Sequence, residues 1–243
     1  NKCKIIFKNL LSWIDSHREL CTLESHNKLV KMFESVLNKE MRSSRMGGLR
    51  KSVLLNIFNN LIDVSDFIDE TSCTGFVEHF DLLKLLLRKK PSRNLSGITS
   101  ITVLTAPFPD GQKFSCKHNC YYCPNEPAHK DNGWQAQPRS YLYNEPAVLR
   151  ANQHKFFAIG QMMNRLDTYY SNGHVPDKLE IIVEGGTFTE YPVDYLERYH
   201  RDLFYAANIY FDVRNAFPEY DNFDENGLDF NNLEKIRQPR TIE

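Results

Sequence analysis

The sequence predicts a mixed α/β chain in which a helical N-terminal segment precedes parallel βα units. Helical periodicity runs through the first 90 residues, for example along the apolar stripe Leu29, Met32, Phe33, Val36 and Leu37. Two runs rich in β-branched residues, 98–105 and 179–183, then predict strands with a helical pattern between them. Strands that alternate with helices favour a parallel sheet. We therefore assign residues 1–90 to a helical domain and residues 91–243 to an α/β domain.

Length and composition bound the class of protein. The chain has 243 residues, of which 41% are hydrophobic and 25% charged, values typical of a globular protein with a sizeable core. No apolar run approaches the roughly 20 residues that span a bilayer, so we expect no membrane association. No signal-peptide pattern is present, and the thiol-rich sequence around residue 120 favours a reducing compartment, the cytoplasm. Because the chain begins with Asn1, we expect a fragment or a processed form.

Charge is unevenly distributed although the net charge is only −1. Residues 84–93 contain five basic residues and no acid, and residues 28–51 contain seven basic residues against two acids. Such patches can bind phosphate backbones, although solvated helix faces give the same pattern. Residues 219–234 contain six acids and no base, which predicts a surface insertion.

The α/β part can be divided further into elements. Asn144 and Pro146 predict the start of a helix that ends near Gly173. Its buried face is predicted to contain Phe156, Ile159, Met163 and Leu166. The strand over residues 179–183 is expected to be buried, because it is short, apolar and β-branched. A last helix is predicted from Pro192 to residue 207, with Leu196, Tyr199 and Leu203 facing inward.

Three of the six cysteines fall within eight residues, as Cys116, Cys120 and Cys123. Thiolates this close on one loop can face a single point, which predicts a metal ion or an iron–sulfur cluster. A structural zinc site needs a fourth ligand, for which His118 is available. A four-iron cluster on three cysteines would leave one iron open to another ligand. Cys3, Cys21 and Cys73 are scattered among apolar neighbours and are expected to be ordinary buried cysteines.

A glycine doublet, Gly185-Gly186, follows the second predicted strand between Glu184 and Thr187. Ligands in βα architectures bind at the carboxyl ends of strands, and a residue without Cβ lets a ligand approach the backbone. A plain tight turn is the commoner reason for such a doublet. Its position after a three-cysteine loop is what makes it a candidate cofactor site.

The spacing C-x3-C-x2-C, with the aromatic Tyr122 before the last cysteine, resembles the signature of radical S-adenosylmethionine enzymes. The resemblance implies that Cys116, Cys120 and Cys123 ligate a [4Fe-4S] cluster whose open iron chelates S-adenosylmethionine. In that superfamily the cluster cleaves the cofactor to a 5'-deoxyadenosyl radical. A glycine-rich strand end binds the methionyl amino group in that superfamily, which implies this role for Gly185 and Gly186, with Glu184 and Thr187 beside them. Tyr122 is also expected among the cofactor-binding residues.

Several further motifs occur in an order that is similar to the catalytic subunit of Elongator, over about residues 82–211. They are Lys90-Pro91-x-Arg93-x-x-Ser96-Gly97, Tyr122-Cys123-Pro124, Tyr143-x-Glu145-Pro146 with Arg150, Asp177-Lys178-x-Glu180, and Gly185-Gly186-Thr187-Phe188. The resemblance implies the fold class α/β with an N-terminal helical segment followed by an incomplete radical-SAM partial (β/α) barrel. The later barrel strands and the acetyltransferase domain of that family are not in the sequence.

The resemblance also implies an activity and its partners. The family builds a 5-carboxymethyl group from acetyl-CoA on the wobble uridine of tRNA. By position, Lys178 corresponds to a lysine associated with acetyl-CoA, although an exposed residue before a strand is the plain alternative. Arg88, Lys89, Lys90 and Arg93 correspond to a basic stretch that meets tRNA. Elongator-like partner subunits or self-association are implied as well.

Two other classes of function remain open at this point. One is a zinc-dependent RNA-binding module that uses Cys116, His118, Cys120 and Cys123. The other is a non-catalytic remnant that binds partner subunits. The identity of the bound metal distinguishes the zinc module from the radical enzyme. Cleavage of S-adenosylmethionine distinguishes the non-catalytic remnant from the radical enzyme.

Overall fold

A computed structural model of the chain describes residues 2–20, 26–61 and 76–216. The expectations at Cys21, Cys73 and the acidic stretch 219–234 lie outside these residues. The chain divides into two compact units. The first, called the helical unit, comprises Asn1–Gly97 with Tyr169–Pro176, and the second, called the α/β unit, comprises Ile98–Thr168 with Asp177–Glu243.

Four helices build the helical unit over its described residues: α1 (Lys2–Ser16), α2 (His26–Ser43), α3 (Lys51–Leu61) and α4 (Phe76–Leu87). The predicted stripe on α2 is confirmed, because Leu29, Phe33 and Leu37 are buried. The two other members, Met32 and Val36, are half-buried. The ring of Phe58 joins α3 to two other helices, lying 5.0 Å from the ring of Phe7 and 5.3 Å from that of Phe80. Burying each such side chain contributes roughly 1.5–3 kcal/mol.

Within its described residues the α/β unit contains β1 (Thr99–Leu104), α5 (Pro146–Gln153), most of α6 (Ala158–Ser171), β2 (Leu179–Glu184) and α7 (Val193–Ala216). The two strands pair in parallel, with Thr99 opposite Leu179 and Leu104 opposite Glu184. This confirms the predicted parallel βα arrangement. The described residues show one two-stranded sheet, so the predicted radical-SAM partial barrel is not confirmed.

The helix predicted from Asn144 to Gly173 is in fact two helices. Lys155 and Phe156, between α5 and α6, both have positive φ angles, of 47° and 62°. The Phe156 N–H donates to the Ala151 carbonyl and the Lys155 N–H to the Asn152 carbonyl, a pattern that closes a helix with a left-handed residue. Glycine usually occupies such a position. Because Lys155 and Phe156 occupy it here, the sequence contained no glycine to mark the break.

Three other expectations on the α/β unit need correction. Glu145 precedes the first helical residue of α5, so Asn144 is not its cap, although Pro146 opens the helix as predicted. The strand β2 is not buried: its side chains alternate between half-buried and exposed, and Ile182 is 41% exposed. The helix α7 extends to Ala216 rather than residue 207.

The buried face predicted for the helical segment between β1 and β2 is confirmed. Phe156, Ile159, Met163 and Leu166 are all buried.

Within the described ranges, no helix combines the length and the apolar character needed to cross a lipid bilayer.

Candidate active site

The candidate site lies at the carboxyl edge of the parallel pair. Since β1 and β2 run in the same direction, the segment that leads from β1 to the cysteines and the glycine turn after β2 start at the same edge. The Thr105 N–H donates to the Glu184 carbonyl at 2.9 Å, which extends the ladder one residue beyond β1. The cysteine-bearing segment and the glycine turn therefore begin at the same edge of the sheet.

Both glycines of the doublet pack closely against other segments of the chain. A Cβ built on Gly186 would be 2.2 Å from the Ser115 carbonyl oxygen, immediately before Cys116. A Cβ on Gly185, whose φ is 154°, would be 1.8 Å from Thr105 Oγ1. Both glycines are thus required for the turn to approach β1 and the cysteine-bearing loop. Their contact with a cofactor stays a prediction, but the structural role of the doublet is visible in the packing.

A chain of hydrogen bonds joins the two strand ends. The Gly186 N–H donates to the Tyr191 hydroxyl at 2.6 Å, and the Thr105 hydroxyl donates to the Glu184 carbonyl at 3.3 Å. The oxygens of Tyr191 and Thr105 are 2.6 Å apart. Because Thr105 gives its proton to the carbonyl, Tyr191 donates to Thr105. Burial raises the pKa of Tyr191, so the hydroxyl stays protonated.

Two tyrosines of α7 hold the end of β1. The Tyr195 hydroxyl accepts from the Ala106 N–H at 2.8 Å, and the Tyr199 hydroxyl donates to the Leu104 carbonyl at 2.7 Å. Burial raises the pKa of both phenols. The rings of Tyr191 and Tyr195 stack with their centres 5.7 Å apart, and those of Tyr195 and Tyr199 stack with their centres 5.6 Å apart. The sequence did not indicate a role for Tyr191 or Tyr195, although the four-residue spacing of Tyr195 and Tyr199 places both on one face of α7.

Cys116 is buried beside the glycine turn. Its Sγ lies 3.4 Å from Thr187 Oγ1. This hydrogen bond is the main cause that lowers the pKa of Cys116 below that of an ordinary thiol. A lowered pKa increases the thiolate fraction, which is the form that binds metal. The structure therefore brings two predicted site residues, Cys116 and Thr187, into contact.

The other two thiols lie further along the same loop. Cys123 is half-buried, with Sγ 2.8 Å from Ser140 Oγ, and Cys120 is exposed. Tyr122 is 87% exposed, and the neighbouring Cys120 thiolate is the first cause that raises the pKa of its phenol. All three loop cysteines are free of disulfide bonds.

The thiols are not gathered into a finished metal site. Among the residues that the structure describes, no three His, Cys, Asp or Glu side chains converge closely enough to hold a metal ion. His118, the predicted fourth zinc ligand, has its Nε2 atom 4.0 Å from the Glu190 carboxylate, which also pairs with Lys117 at 2.7 Å. Three unbridged thiols on one loop, one with a lowered pKa, do fit cysteine ligation of a cluster, provided that the loop closes around it.

Two acids and a tyrosine surround the end of β2. Burial is the main cause that raises the pKa of Glu184, and the negative charge of Glu145 adds to it. Burial likewise raises the pKa of Tyr141. The N–H group of Gly186 is engaged by the Tyr191 hydroxyl.

Lys178 is not brought to this edge. It precedes β2 at the amino end, where its carbonyl accepts from the Thr99 N–H at 2.8 Å. The length of β2 separates it from Glu184, which is about 20 Å along an extended strand. Its side chain is exposed. The role that the family resemblance implies for Lys178 stays a prediction.

The basic stretch after α4 forms a second candidate site, in the helical unit. Arg88, Lys89 and Lys90 line a cavity of about 180 Å³ together with Lys51 and Glu34, which pair at 2.7 Å. The Nε atom of Arg88 is buried and has no hydrogen-bond partner among the described residues. The three basic side chains that line the cavity would favour the binding of an anion such as a phosphate group.

Neighbouring contacts fix the backbone of this stretch. The His174 imidazole donates to the Lys89 carbonyl at 2.9 Å, and burial lowers the pKa of His174, with the charges of Arg88 and Arg93 contributing. The Arg93 guanidinium lies over the ring of Tyr169, 5.6 Å from its centre. Three of the four predicted tRNA-binding residues thus line one cavity, while Arg93 lies on an aromatic ring.

Comparison with known proteins supports the resemblance that the motifs suggested. No family model matches the chain. It is 37% identical over 120 residues to a tRNA uridine(34) acetyltransferase of Dehalococcoides mccartyi, covering 49% of this chain and 23% of that protein. It is 29% identical over 190 residues to Elongator complex protein 3 of Schizosaccharomyces pombe, covering 78% of this chain and 32% of the relative. The resemblance to the catalytic subunit of Elongator is confirmed.

The extent of the match is limited on the side of the relatives. Against human Elongator complex protein 3 the identity is 32% over 117 residues, which is 48% of this chain and 21% of the human protein. The chain thus spans between about a fifth and a third of the Elongator-type proteins it matches.

Proposed function

We propose that this chain carries a radical S-adenosylmethionine site and takes part in carboxymethylation of the tRNA wobble uridine from acetyl-CoA. The observation that carries the proposal is the contact between Gly186 and the backbone that leads into Cys116, at the carboxyl edge of a parallel strand pair. This is where α/β proteins bind their ligands. Similarity to proteins named tRNA uridine(34) acetyltransferase supports the choice of substrate and reaction.

In this proposal, Cys116, Cys120 and Cys123 would hold a [4Fe-4S] cluster. The cluster, when bound, supplies one-electron chemistry to S-adenosylmethionine. The hydrogen bond between Thr187 and Cys116 lowers the pKa of the thiol and so favours the thiolate form that iron requires. The side chain of Cys123 is held by Ser140.

The glycine turn would bind the methionyl part of the cofactor through its carbonyl oxygens. The N–H group of Gly186 is taken by Tyr191, whereas a carbonyl can accept from the methionyl ammonium group. Glu184 and Tyr122 complete the proposed cofactor contacts. Tyr191 holds the turn and is a positioning residue in this scheme.

The substrates would bind at other places on the chain. Arg88, Lys89 and Lys90 would bind a phosphate group of tRNA in the basic cavity, with Arg93 beside it. We assign acetyl-CoA to Lys178, at the amino edge of the sheet. The relatives' name, Elongator complex protein 3, makes partner subunits or self-association part of the proposal. The unbridged loop thiols favour the reducing cytoplasm.

Anaerobic reconstitution with iron and sulfide tests the metal. Wild-type protein should hold about four irons per chain and show the broad visible absorption of an iron–sulfur cluster. Alanine at Cys116, Cys120 or Cys123 should remove most of the iron, whereas Cys3→Ala, a half-buried thiol outside the loop, should not. Stoichiometric zinc with no iron uptake would contradict the proposal and support a zinc-dependent RNA-binding module instead.

Cleavage of S-adenosylmethionine tests the chemistry. With a strong reductant, the reconstituted chain should produce 5'-deoxyadenosine, and Tyr191→Phe should lower the rate by more than it lowers the iron content. A fully loaded protein that yields no 5'-deoxyadenosine would instead support a non-catalytic role in binding partner subunits.

A further inference from the structure

We propose that a cavity beside the end of β1 binds one base of single-stranded RNA. The cavity has a volume of about 350 Å³, within the range of small-ligand sites. It is lined by Ala106, Pro107, Phe108, Trp134, Gln135, Ala136, Asn152, Lys155 and Phe156. All of these residues belong to the α/β unit, and none is a predicted site residue. The inference rests on the proposal that RNA is the substrate, but it concerns a different site.

Exposed aromatic rings are the first observation. Trp134 is 73% exposed and Phe108 is 55% exposed, although both could bury large apolar surfaces. Such rings stack on unpaired bases, whatever the base, because every base has a flat π-face. Among the described residues that line the cavity, Lys155 carries the charge, which is positive and suits the phosphate attached to a base.

Backbone conformation is the second observation. Trp134 has a φ of 61° and follows Gly133, whose φ is 64°. A bulky residue rarely adopts a positive φ and keeps it only when the surroundings impose it. Lys155 and Phe156, which also line the cavity, have positive φ angles as well. Strained residues of this kind cluster at ligand sites, where the strain is part of pre-organisation.

A buried asparagine holds the turn that presents Trp134. The Asn132 side chain is completely buried and forms four hydrogen bonds. Its amide donates to the Glu126 carboxylate and to the Pro127 carbonyl, and its oxygen accepts from the N–H groups of His129 and Gln135. The Trp134 N–H donates to the His129 carbonyl at 2.9 Å. Every hydrogen-bonding group of the asparagine thus serves a turn that places an indole in solvent.

A second pair of amides connects the segment that carries Trp134 to α5. The Asn152 amide donates to Gln137 Oε1 at 2.8 Å, and the Gln137 amide donates to the Gln135 carbonyl at 2.8 Å. Both side chains are buried. The segment that carries Trp134 is therefore connected to α5 by buried hydrogen bonds before any ligand arrives. A pre-formed cavity lined by an indole and a lysine fits a flat base with its phosphate better than a flexible peptide.

Tryptophan fluorescence gives a direct test, because the chain has two tryptophans, Trp13 and Trp134. Titration of the full chain with a short oligouridylate should quench the emission, since stacking quenches the indole. Trp134→Gly should abolish this quenching and weaken the binding of the same labelled oligouridylate, measured by anisotropy, at least about tenfold. The melting temperature of this variant should stay the same or rise, because glycine accepts the positive φ that tryptophan resists.

Matched controls separate this site from general effects. Phe204→Ala removes another exposed aromatic ring, one that does not line the cavity, and should leave oligouridylate binding unchanged. Lys155→Asn, which tolerates a positive φ, should weaken binding about threefold and flatten its salt dependence. Wild-type affinity in Trp134→Gly would overturn the proposal. Quenching by adenosine monophosphate or S-adenosylmethionine but not by oligouridylate would overturn the assignment to RNA.

The outcome is independent of the proposed cluster. Oligouridylate titration needs no iron, so failed reconstitution leaves this result readable. Conversely, intact binding of tRNA in Trp134→Gly would remove the cavity from the RNA site while leaving the proposed function standing.

Discussion

At the scale of single residues, the lack of a Cβ on the glycine doublet lets the turn after β2 meet the cysteine-bearing loop. Gly186 lies so close to the Ser115 carbonyl that any side chain would push the cysteine-bearing loop away. The same turn places Thr187 beside Cys116 and thereby lowers the pKa of that thiol. Structural packing and the proposed cofactor chemistry therefore depend on the same two glycines.

We predict that Gly186→Ala lowers both stability and iron loading. The added methyl group would lie 2.2 Å from a backbone oxygen, and such overpacking typically costs about 1–3 kcal/mol. Thermal unfolding and iron content after reconstitution should fall together. Gly47→Ala, at a position with no atom within 4 Å, is the control and should change neither. Full iron loading in a destabilised Gly186→Ala protein would show that the loop does not depend on this contact.

Glu126 is a second residue whose role follows from its contacts. Its carboxylate accepts from the Tyr143 N–H at 2.8 Å, from Asn132 and from the His129 ring. The Tyr143 bond is the main cause that lowers its pKa. A carboxyl whose folded pKa is lowered stabilises the fold above the unfolded value, near about 4.3, and this contribution is lost as the pH falls through the folded pKa.

We predict that Glu126→Gln flattens the loss of stability in acid. Wild-type melting temperature should fall as the pH is lowered from about 5 through about 4.3 and below, while the variant should be less stable at about pH 7 and lose less on acidification. Melting curves at several pH values measure this. Asn125→Ala, an exposed neighbour, keeps the carboxylate and should retain the wild-type slope. Parallel curves for Glu126→Gln and wild type would refute the assignment.

At the scale of elements, α7 supplies hydroxyl groups to the end of β1. Tyr195 satisfies the Ala106 N–H, and Tyr199 donates to the Leu104 carbonyl. That carbonyl has a second donor, the Gln161 amide at 2.9 Å, whereas the described residues offer the Ala106 N–H no second acceptor. The two tyrosines should therefore differ in what their hydroxyls contribute.

We predict that Tyr195→Phe destabilises the chain more than Tyr199→Phe. The first change leaves an N–H without its partner, which costs about 1–3 kcal/mol. The second leaves the Leu104 carbonyl bonded to Gln161 and should cost about 0.5–1.5 kcal/mol. Free energies of unfolding from urea titrations measure both, and Tyr121→Phe, on a fully exposed ring, should be neutral. The reverse order would mean that α7 positions the strand by ring packing instead of hydrogen bonding.

At the scale of the whole molecule, the chain carries its thiol loop and its basic cavity on two different units. The net charge of −1 gives no general attraction for nucleic acid, so affinity for tRNA has to come from local patches. The cavity lined by Arg88, Lys89 and Lys90 is a patch with a buried donor that lacks a partner among the described residues. Its contribution should appear as a salt-dependent term that is the same for all tRNA sequences.

We predict that replacing Arg88, Lys89 and Lys90 by glutamine weakens tRNA binding and flattens its salt dependence. The slope of log K against log salt should fall by about 0.7–0.9 for each phosphate group that the variant no longer neutralises. The control removes the same charge from α1 of the same unit, as Lys2, Lys4 and Lys8 to glutamine, and should lower the slope less. Filter binding between about 50 and 200 mM salt provides the measurement. Equal slopes for the two triple variants would make the stretch a solvated surface.

Much of the architecture was readable from local sequence patterns. The stripe along α2, the β-branched runs of β1 and β2 and Pro146 at the start of α5 each depend on residues close together in the chain. Their periods of about 3.6 and 2 are set by backbone geometry, which is why they predicted the elements and their parallel pairing. The three clustered cysteines and the glycine doublet were likewise visible as motifs, together with the order that resembles the Elongator catalytic subunit.

Other features were decided only by tertiary contacts. The break at Lys155 carries no glycine, and its left-handed backbone is imposed by hydrogen bonds to Ala151 and Asn152 and by the walls around it. The half-exposed faces of β2 depend on what does and does not cover them, which an apolar run does not encode.

The candidate site shows the same division. Sequence identified the thiols and glycines by type and spacing, because those residues carry special chemistry or lack a side chain. It missed Thr105, Tyr191 and Trp134, since a hydroxyl or an indole has no fixed role until a distant backbone group meets it. Thr105 and Tyr191 are 86 residues apart, yet their oxygens lie 2.6 Å from each other. Local periodicity determines which elements form, whereas only the folded chain determines which distant donors and acceptors become neighbours.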